Sequence, residues 1–113
     1  MIKSILIFFI SAFFLLISNP VYSADVQSKS LEKYISRISN KFSKTYCNTT
    51  KFGISNEGAI AFAIGETIKE FKNNKLNNFI DYAVLNNNII DTLEKNCQVY
   101  NFPSDVLDQL ELK

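Results

Sequence analysis

Apolar side chains recur at intervals of three and four residues through most of the chain after residue 28, and this spacing strongly constrains the fold. The strict alternation typical of β-strands is scarce there. Because residues three and four apart lie on one face of an α-helix, the first such stripe predicts an amphipathic helix over about residues 29–50. Its members are Leu31, Tyr34, Ile35, Ile38, Phe42 and Tyr46. We predict an all-α fold, a small bundle of about four helices plus a short C-terminal helix.

The second predicted helix runs from Asn56 to about Lys72, after Ser55 as its N-cap. Its first half is apolar nearly all round, so we predict that it is the central, buried helix of the bundle. Small residues follow one side of it. Glycine inside a helix costs about 1 kcal/mol relative to alanine, so we expect that a neighbouring backbone approaches this side closely. The small residues are Gly58, Ala61 and Gly65.

Asparagines interrupt the remaining helical pattern. Residues 73–74 end the second helix, and a helical stripe resumes over residues 75–84. Asparagine competes for backbone hydrogen bonds, so residues 86–88 predict a break or kink. Another helical face follows at residues 89–97, and a short terminal helix is expected from Ser104 onward.

The first twenty-three residues have the pattern of a secretory signal peptide. Lys3 gives a basic start, residues 5–17 are apolar except for Ser11, and residues 21–23 precede Ala24 as a cleavage site does. The apolar segment is shorter than the roughly 20 residues of a membrane-spanning helix. We therefore predict a cleaved signal peptide at residues 1–23, a single helical domain at residues 24–113, and export to a periplasm, a thylakoid lumen or the extracellular space.

Two cysteines, Cys47 and Cys97, lie in the predicted exported part and are the only ones in the chain. Export into an oxidising compartment predicts that they form one intramolecular disulfide. A bridge that closes a loop of this length contributes roughly 4 kcal/mol in the chain-entropy description. That contribution matters because a domain of this size buries too little surface for a large margin of stability.

The absence of histidine excludes much of catalytic chemistry, since histidine is the most frequent general base and metal ligand. The three glycines fit no phosphate-binding loop. We expect no enzyme activity, no metal site and no cofactor. Carboxylate catalysis by Glu66, Glu70 and Asp81 is the alternative, but acids on a solvated helix face explain these residues without a reaction.

Basic residues recur along one side of the first predicted helix, at Lys29, Lys33, Arg37, Lys41 and Lys44. One interpretation is a face for anionic lipid headgroups or an acidic partner. The other, which we favour, is a solvated face partly neutralised by acids of the terminal helix. It is favoured because the chain after residue 23 carries eleven basic and eleven acidic residues. Those acids are Asp105, Asp108 and Glu111. The same neutrality argues against a nucleic-acid partner.

Aromatic residues are abundant, and two interpretations are open for them. Packing in the core is the expected role, and a ligand groove among the helices is the alternative. The set comprises Tyr34, Phe42, Tyr46, Phe52, Phe62, Phe71, Phe79, Tyr82, Tyr100 and Phe102.

Two resemblances bear on compartment and function. One run of residues is similar to small exported proteins of unknown function from marine picocyanobacteria, which implies a periplasm or a thylakoid lumen. The run comprises Tyr46-Cys47, Phe52-Gly53-Ile54-Ser55-Asn56-Glu57-Gly58-Ala59 and Phe62-Ala63-Ile64-Gly65-Glu66. The layout of an exported helical domain with two distant, bridged cysteines resembles HdeA-type periplasmic acid-stress chaperones. That resemblance implies a holdase that exposes apolar helices at low pH.

These observations predict a non-enzymatic exported protein that binds another protein or a component of the cell envelope. Two alternatives remain, an HdeA-like acid-stress holdase and a helical protein associated with a membrane surface.

Overall fold

A computed structural model describes residues 28–112 of the chain. The predicted signal peptide, residues 1–23, lies outside the described residues. The chain divides into two units, Met1–Ser30 and Leu31–Lys113. Residues 28–30, the described part of the first unit, are helical and exposed. The rest of the description concerns the second unit.

The described residues form helices and turns and contain no strand, which confirms the all-α prediction. The first helix, α1, covers residues 28–51. Its predicted apolar stripe is buried except for Leu31, which is partly buried, and Ile38 and Phe42 have 0% exposure. α1 ends at Lys51, and Gly53, two residues later, has a positive φ of 88° and donates its N–H to the Thr50 carbonyl at 3.0 Å. Glycine adopts this conformation without steric cost, so the residue sets the turn into the second helix.

The second helix, α2, covers Asn56–Phe71. Ser55 caps it as predicted, because its hydroxyl accepts a hydrogen bond from the Gly58 N–H at 3.2 Å. The prediction that this helix is central and buried is wrong for half of its surface. One face is buried, but Ala61 is exposed and the Phe62 side chain is 52% exposed. In so small a bundle the other elements cover only one face of α2.

The expected close approach to the small residues of α2 is also not found. Ala61 and Gly65 are exposed, and a Cβ added at Gly65 meets no atom within 4 Å. A Cβ at Gly58 comes within 3.1 Å of the Ile54 side chain, so the near neighbour there is the turn before α2.

Replacing Gly65 by alanine is therefore expected to stabilise the protein. Alanine is favoured over glycine by about 1 kcal/mol inside a helix, and the structure leaves room for its methyl group. Urea denaturation measures the difference. The control is Gly53→Ala, which we expect to lose about 1 kcal/mol because its φ is positive. A loss of stability in Gly65→Ala would show that a neighbour does pack against this side of α2.

The third helix, α3, covers Tyr82–Cys97 and follows a 3₁₀ helix at Lys75–Phe79. Asp81 caps α3 by accepting a hydrogen bond from the Ala83 N–H at 3.0 Å. The predicted break at residues 86–88 is wrong, since α3 continues through them. Leu85, Ile89 and Leu93 are fully buried on one face. Their packing outweighs the weak helix propensity of asparagine, and the chain breaks instead at the cap before α3.

A short C-terminal 3₁₀ helix at Ser104–Gln109 packs against α2 and α3. Leu107, Leu110 and Leu112 are buried, so this segment closes the end of the core. The predicted disulfide is confirmed: Cys47 of α1 is bonded to Cys97, the last residue of α3, with their Cα atoms 5.9 Å apart.

A buried hydrogen-bond network centred on Asn77 ties distant parts of the chain together. Its Oδ1 accepts from the Tyr34 hydroxyl at 2.6 Å. Its Nδ2 donates to the carbonyl oxygens of Phe71 and Leu112, each at 2.8 Å. Asn77 is only 2% exposed, so one side chain satisfies buried groups on α1, on the end of α2 and on the C-terminal segment.

Two buried tyrosines make stability sensitive to alkali. Burial raises the pKa of Tyr34 above its ordinary value, against an opposing effect of Arg37, and burial raises the pKa of Tyr46. A raised pKa in the folded state means that the stabilisation is complete below about pH 10 and is lost as the pH rises further. We expect the urea midpoint to fall above about pH 10. Tyr46→Phe should reduce that fall, whereas the exposed control Tyr100→Phe should not. An equal effect of both substitutions would contradict the assignment.

Candidate functional site

An apolar groove lies between α1 and α2 and is the most distinctive surface feature of the described residues. It has a volume of about 620 Å³. The C-terminal half of α1, the turn at Gly53 and α2 from Gly58 to Glu66 contribute its walls. The lining residues are Lys41, Thr45, Asn48, Thr49, Phe52, Ile54, Gly58, Phe62 and Glu66.

Three large apolar side chains in this groove are exposed to solvent. Phe52 is 86% exposed, Ile54 is 51% exposed and Phe62 is 52% exposed. Phe52 and Ile54 flank Gly53, which has a positive φ, in the exposed turn between the helices. Single exposed apolar residues are common, but several that line one concavity are typical of an interaction site.

The floor of the groove is polar, and its hydroxyl protons are already used. Thr45 donates to the Lys41 carbonyl at 2.7 Å, and Thr49 donates to the Thr45 carbonyl at 2.6 Å. These bonds lie within α1. The two threonine hydroxyls therefore have no free proton for a ligand, whereas the exposed Asn48 amide and the Lys41 ammonium remain donors, and the exposed apolar side chains supply most of the contact surface.

The predicted basic residues follow one side of α1, and one of them, Lys41, lines this groove. Lys33, Arg37 and Lys44 are exposed, and Lys41 is half-buried where it lines the groove. Lys29 belongs to the described residues 28–30 and is exposed. Lys51, also exposed, directly precedes Phe52. It was not among the predicted residues because it does not follow Lys44 at an interval of three or four residues. We call Lys33, Arg37, Lys41, Lys44 and Lys51 the basic row.

Contacts with α2 hold two members of the basic row in place. The Arg37 guanidinium lies 5.7 Å from the centre of the Phe71 ring. Lys41 Nζ lies 4.0 Å from Glu70 Oε2 and forms the ion pair recorded among residues 28–112. The structure records no ion pair between the described basic residues and Asp105, Asp108 or Glu111, although the favoured interpretation expected partial neutralisation by those acids. A half-exposed pair such as Lys41–Glu70 contributes under about 1 kcal/mol.

The three carboxylates considered for catalysis have separate places. Glu66 lines the groove, Glu70 pairs with Lys41, and Asp81 caps α3. Within residues 28–112 no three side chains of the metal-binding types come together. A second concavity of about 380 Å³ lies between α3 and the C-terminal 3₁₀ helix, with Asp108 and Glu111 on its wall.

Most of the aromatic residues fill one of the two expected roles, whereas Phe79 and Tyr100 are exposed outside the groove. Tyr34, Phe42, Tyr46, Phe71 and Phe102 are buried, and edge-to-face contacts join Phe102 to both Phe42 and Tyr46. Phe52 and Phe62 instead line the groove. The sequence feature that could have predicted the exposure of Phe52 is its position beside Gly53, because a turn between two helices lies at the surface.

Residues 28–112 contain no helix with both the length and the apolar character needed to cross a bilayer. Comparison with known proteins finds no matching family model, no similar curated protein and no similar solved structure. The two resemblances described above therefore stay predictions.

Proposed function

We propose that this chain is an exported, non-enzymatic binding protein, and that the apolar groove between α1 and α2 holds its partner, a protein or a component of the cell envelope. The observation that carries the proposal is the exposure of Phe52, Ile54 and Phe62 in one concavity. Leaving them in water is unfavourable, and a partner that covers them gains the free energy of burying apolar surface.

Binding is favoured over catalysis because the groove lacks reactive groups. Its ionisable side chains are Lys41, which is paired with Glu70, and Glu66. The groove-lining residues include no histidine, cysteine or serine. One carboxylate beside an exposed apolar surface gives no acid and base pair for proton transfer.

Export is supported by the signal pattern of residues 1–23 and by the disulfide, which persists in oxidising compartments. Because the bridge joins α1 to the end of α3, it also keeps the groove-forming helix attached to the core while α2 remains exposed on its outer face.

The acid-stress holdase has less support from the described contacts. α1 is held to the rest of the domain by the disulfide, by apolar packing and by neutral hydrogen bonds such as Tyr34–Asn77. None of these is broken by protonation. An oxidised protein that unfolds near pH 3 and then holds an unfolded client would support the holdase instead.

The binding proposal is tested by retention on native envelope material. The exported, disulfide-bonded protein should be retained, and Phe52→Ser with Phe62→Ser should abolish retention because the apolar walls are removed. Phe79→Ser with Val84→Ser is the matched control, since these exposed apolar residues lie outside the groove. Equal retention of the groove variant and the wild-type protein would refute the proposal.

A further inference from the structure

We propose that the partner of the groove is the surface of an anionic lipid bilayer. The aromatic side chains enter the boundary between headgroups and acyl chains, and the basic row contacts the headgroups. This inference rests on the proposed binding function and names the class of partner. Four steps carry it: the place of the aromatic residues, the charge beside them, the chemistry of the groove floor and the energetic balance.

The aromatic residues are placed for shallow insertion. Phe52 lies in the turn between α1 and α2, and at 86% exposure it projects into solvent. Ile54 follows on the other side of Gly53, and Phe62 lies on the neighbouring helix against the same groove. A bilayer surface can cover all three together without entering a deep cavity.

The charge of α1 complements an anionic surface. From residue 31 to residue 51 the helix carries the five cations of the basic row and one acid, Glu32. Lys41 belongs both to the basic row and to the groove wall, and Lys51 precedes Phe52 directly. The acids nearby are Glu70, which is paired with Lys41, and Glu66 on the α2 wall. Cations beside exposed aromatic residues are typical of sites for anionic headgroups.

The groove floor favours a bilayer over an acidic peptide. A bound peptide brings backbone N–H and C=O groups that need partners once water is excluded. The hydroxyl protons of Thr45 and Thr49 are already donated within α1. Acyl chains need no such donors, and the headgroup phosphate oxygens accept from cations and amides, which the basic row and the exposed Asn48 side chain supply.

Burial of the apolar side chains and attraction of the basic row to anionic headgroups act together. Burial of a few apolar side chains gives weak binding by itself, and each cation near an anionic surface strengthens binding by about fivefold. The protein should therefore bind anionic membranes and leave neutral ones, and binding should weaken as salt screens the charges.

The experiment is sedimentation of the exported, disulfide-bonded protein with vesicles of phosphatidylcholine alone, or of phosphatidylcholine mixed with phosphatidylglycerol. We expect binding only to the mixed vesicles. Phe52→Ser with Phe62→Ser should lower the partition coefficient by about a hundredfold. Lys33→Gln, Lys44→Gln and Lys51→Gln together should lower it by about the same factor.

Matched controls remove equal numbers of apolar groups or charges elsewhere. Phe79→Ser with Val84→Ser should leave binding to mixed vesicles unchanged. Lys72→Gln, Lys75→Gln and Lys95→Gln together should also leave binding to mixed vesicles unchanged, because these exposed lysines lie outside α1. Control variants that bind as weakly as the groove and basic-row variants would overturn the inference, since net charge or general apolarity would then explain the binding.

Failure of this inference can be told apart from failure of the proposed function. If mixed vesicles do not bind the protein, or bind it no better than neutral ones, the bilayer inference is wrong. If retention on native envelope material then still depends on Phe52 and Phe62 and is lost after protease treatment of that material, the binding function stands with a protein partner. If retention shows no dependence on the groove, both proposals fail.

Discussion

Replacing Cys47 and Cys97 together by serine is expected to lower the free energy of unfolding by about 4 kcal/mol. The bridge joins residues 50 positions apart, so in its absence the unfolded chain gains much of the conformational freedom that the cross-link removes. Domains of this size have total stabilities near 5–15 kcal/mol, so a loss of this order removes a large part of the margin. Urea denaturation of the oxidised wild-type protein and of the double variant measures the difference.

Reduction of the wild-type protein is the matched control for that substitution. Dithiothreitol breaks the same bond without changing the sequence, and we expect it to lower the urea midpoint by nearly the same amount as the double serine variant. A change below about 1 kcal/mol in both measurements would mean that packing alone holds α1 against α3.

Replacing Asn77 by aspartate is expected to cost about 3–5 kcal/mol at neutral pH. The substitution keeps the shape of the side chain but replaces the Nδ2 donor with an oxygen. That oxygen then faces the carbonyl oxygens of Phe71 and Leu112, each of which accepts a hydrogen bond at 2.8 Å in the native protein. A buried charge that keeps only the Tyr34 hydroxyl as a donor, and a Leu112 carbonyl that loses its Nδ2 donor, both destabilise the fold.

The same substitution predicts a pH dependence with a definite sign. Burial disfavours the charged form of the new aspartate, so the folded state binds its proton more tightly than the unfolded state does. The penalty should therefore shrink as the pH falls toward about 4 and grow as the pH rises to 7. Asn78→Asp is the matched control, since Asn78 is exposed and the charge change is identical. Similar losses in the two variants would contradict the role assigned to the Asn77 network.

Local patterns in the sequence are sufficient to predict α1, α2 and the disulfide. The stripe of α1 follows one helical face over several turns, and Ser55 and Gly53 mark the boundary before α2 through their own backbone chemistry. The cysteine pairing needs no geometry, because two cysteines in an oxidising compartment allow one intramolecular bridge.

Features that depend on contacts between distant residues could not be predicted in this way. The propensity of asparagine predicts a break at residues 86–88, but buried Leu85 and Ile89 keep α3 continuous. Asn77 has no local signal as the centre of a network, since its partners lie 6, 35 and 43 residues away in the chain.

The candidate site could be predicted from the sequence only in part. The basic spacing along α1 is visible in the sequence, so most of the basic row could be predicted. The apolar groove could not, because Phe62 lies in the first half of α2, which is apolar nearly all round, and nothing local shows which side the bundle leaves uncovered. Its exposure follows from the number and arrangement of the other elements, which only the folded structure provides.

The account of this protein as an exported domain braced by a disulfide is tested most directly by the intact mass of the protein isolated from its native cells under non-reducing conditions, with alkylation of any free thiol. We predict a chain that begins at Ala24, carries no alkyl group, and is lighter by two hydrogens than its fully reduced form. A chain that still begins at Met1 and carries alkyl groups on both cysteines would contradict the account.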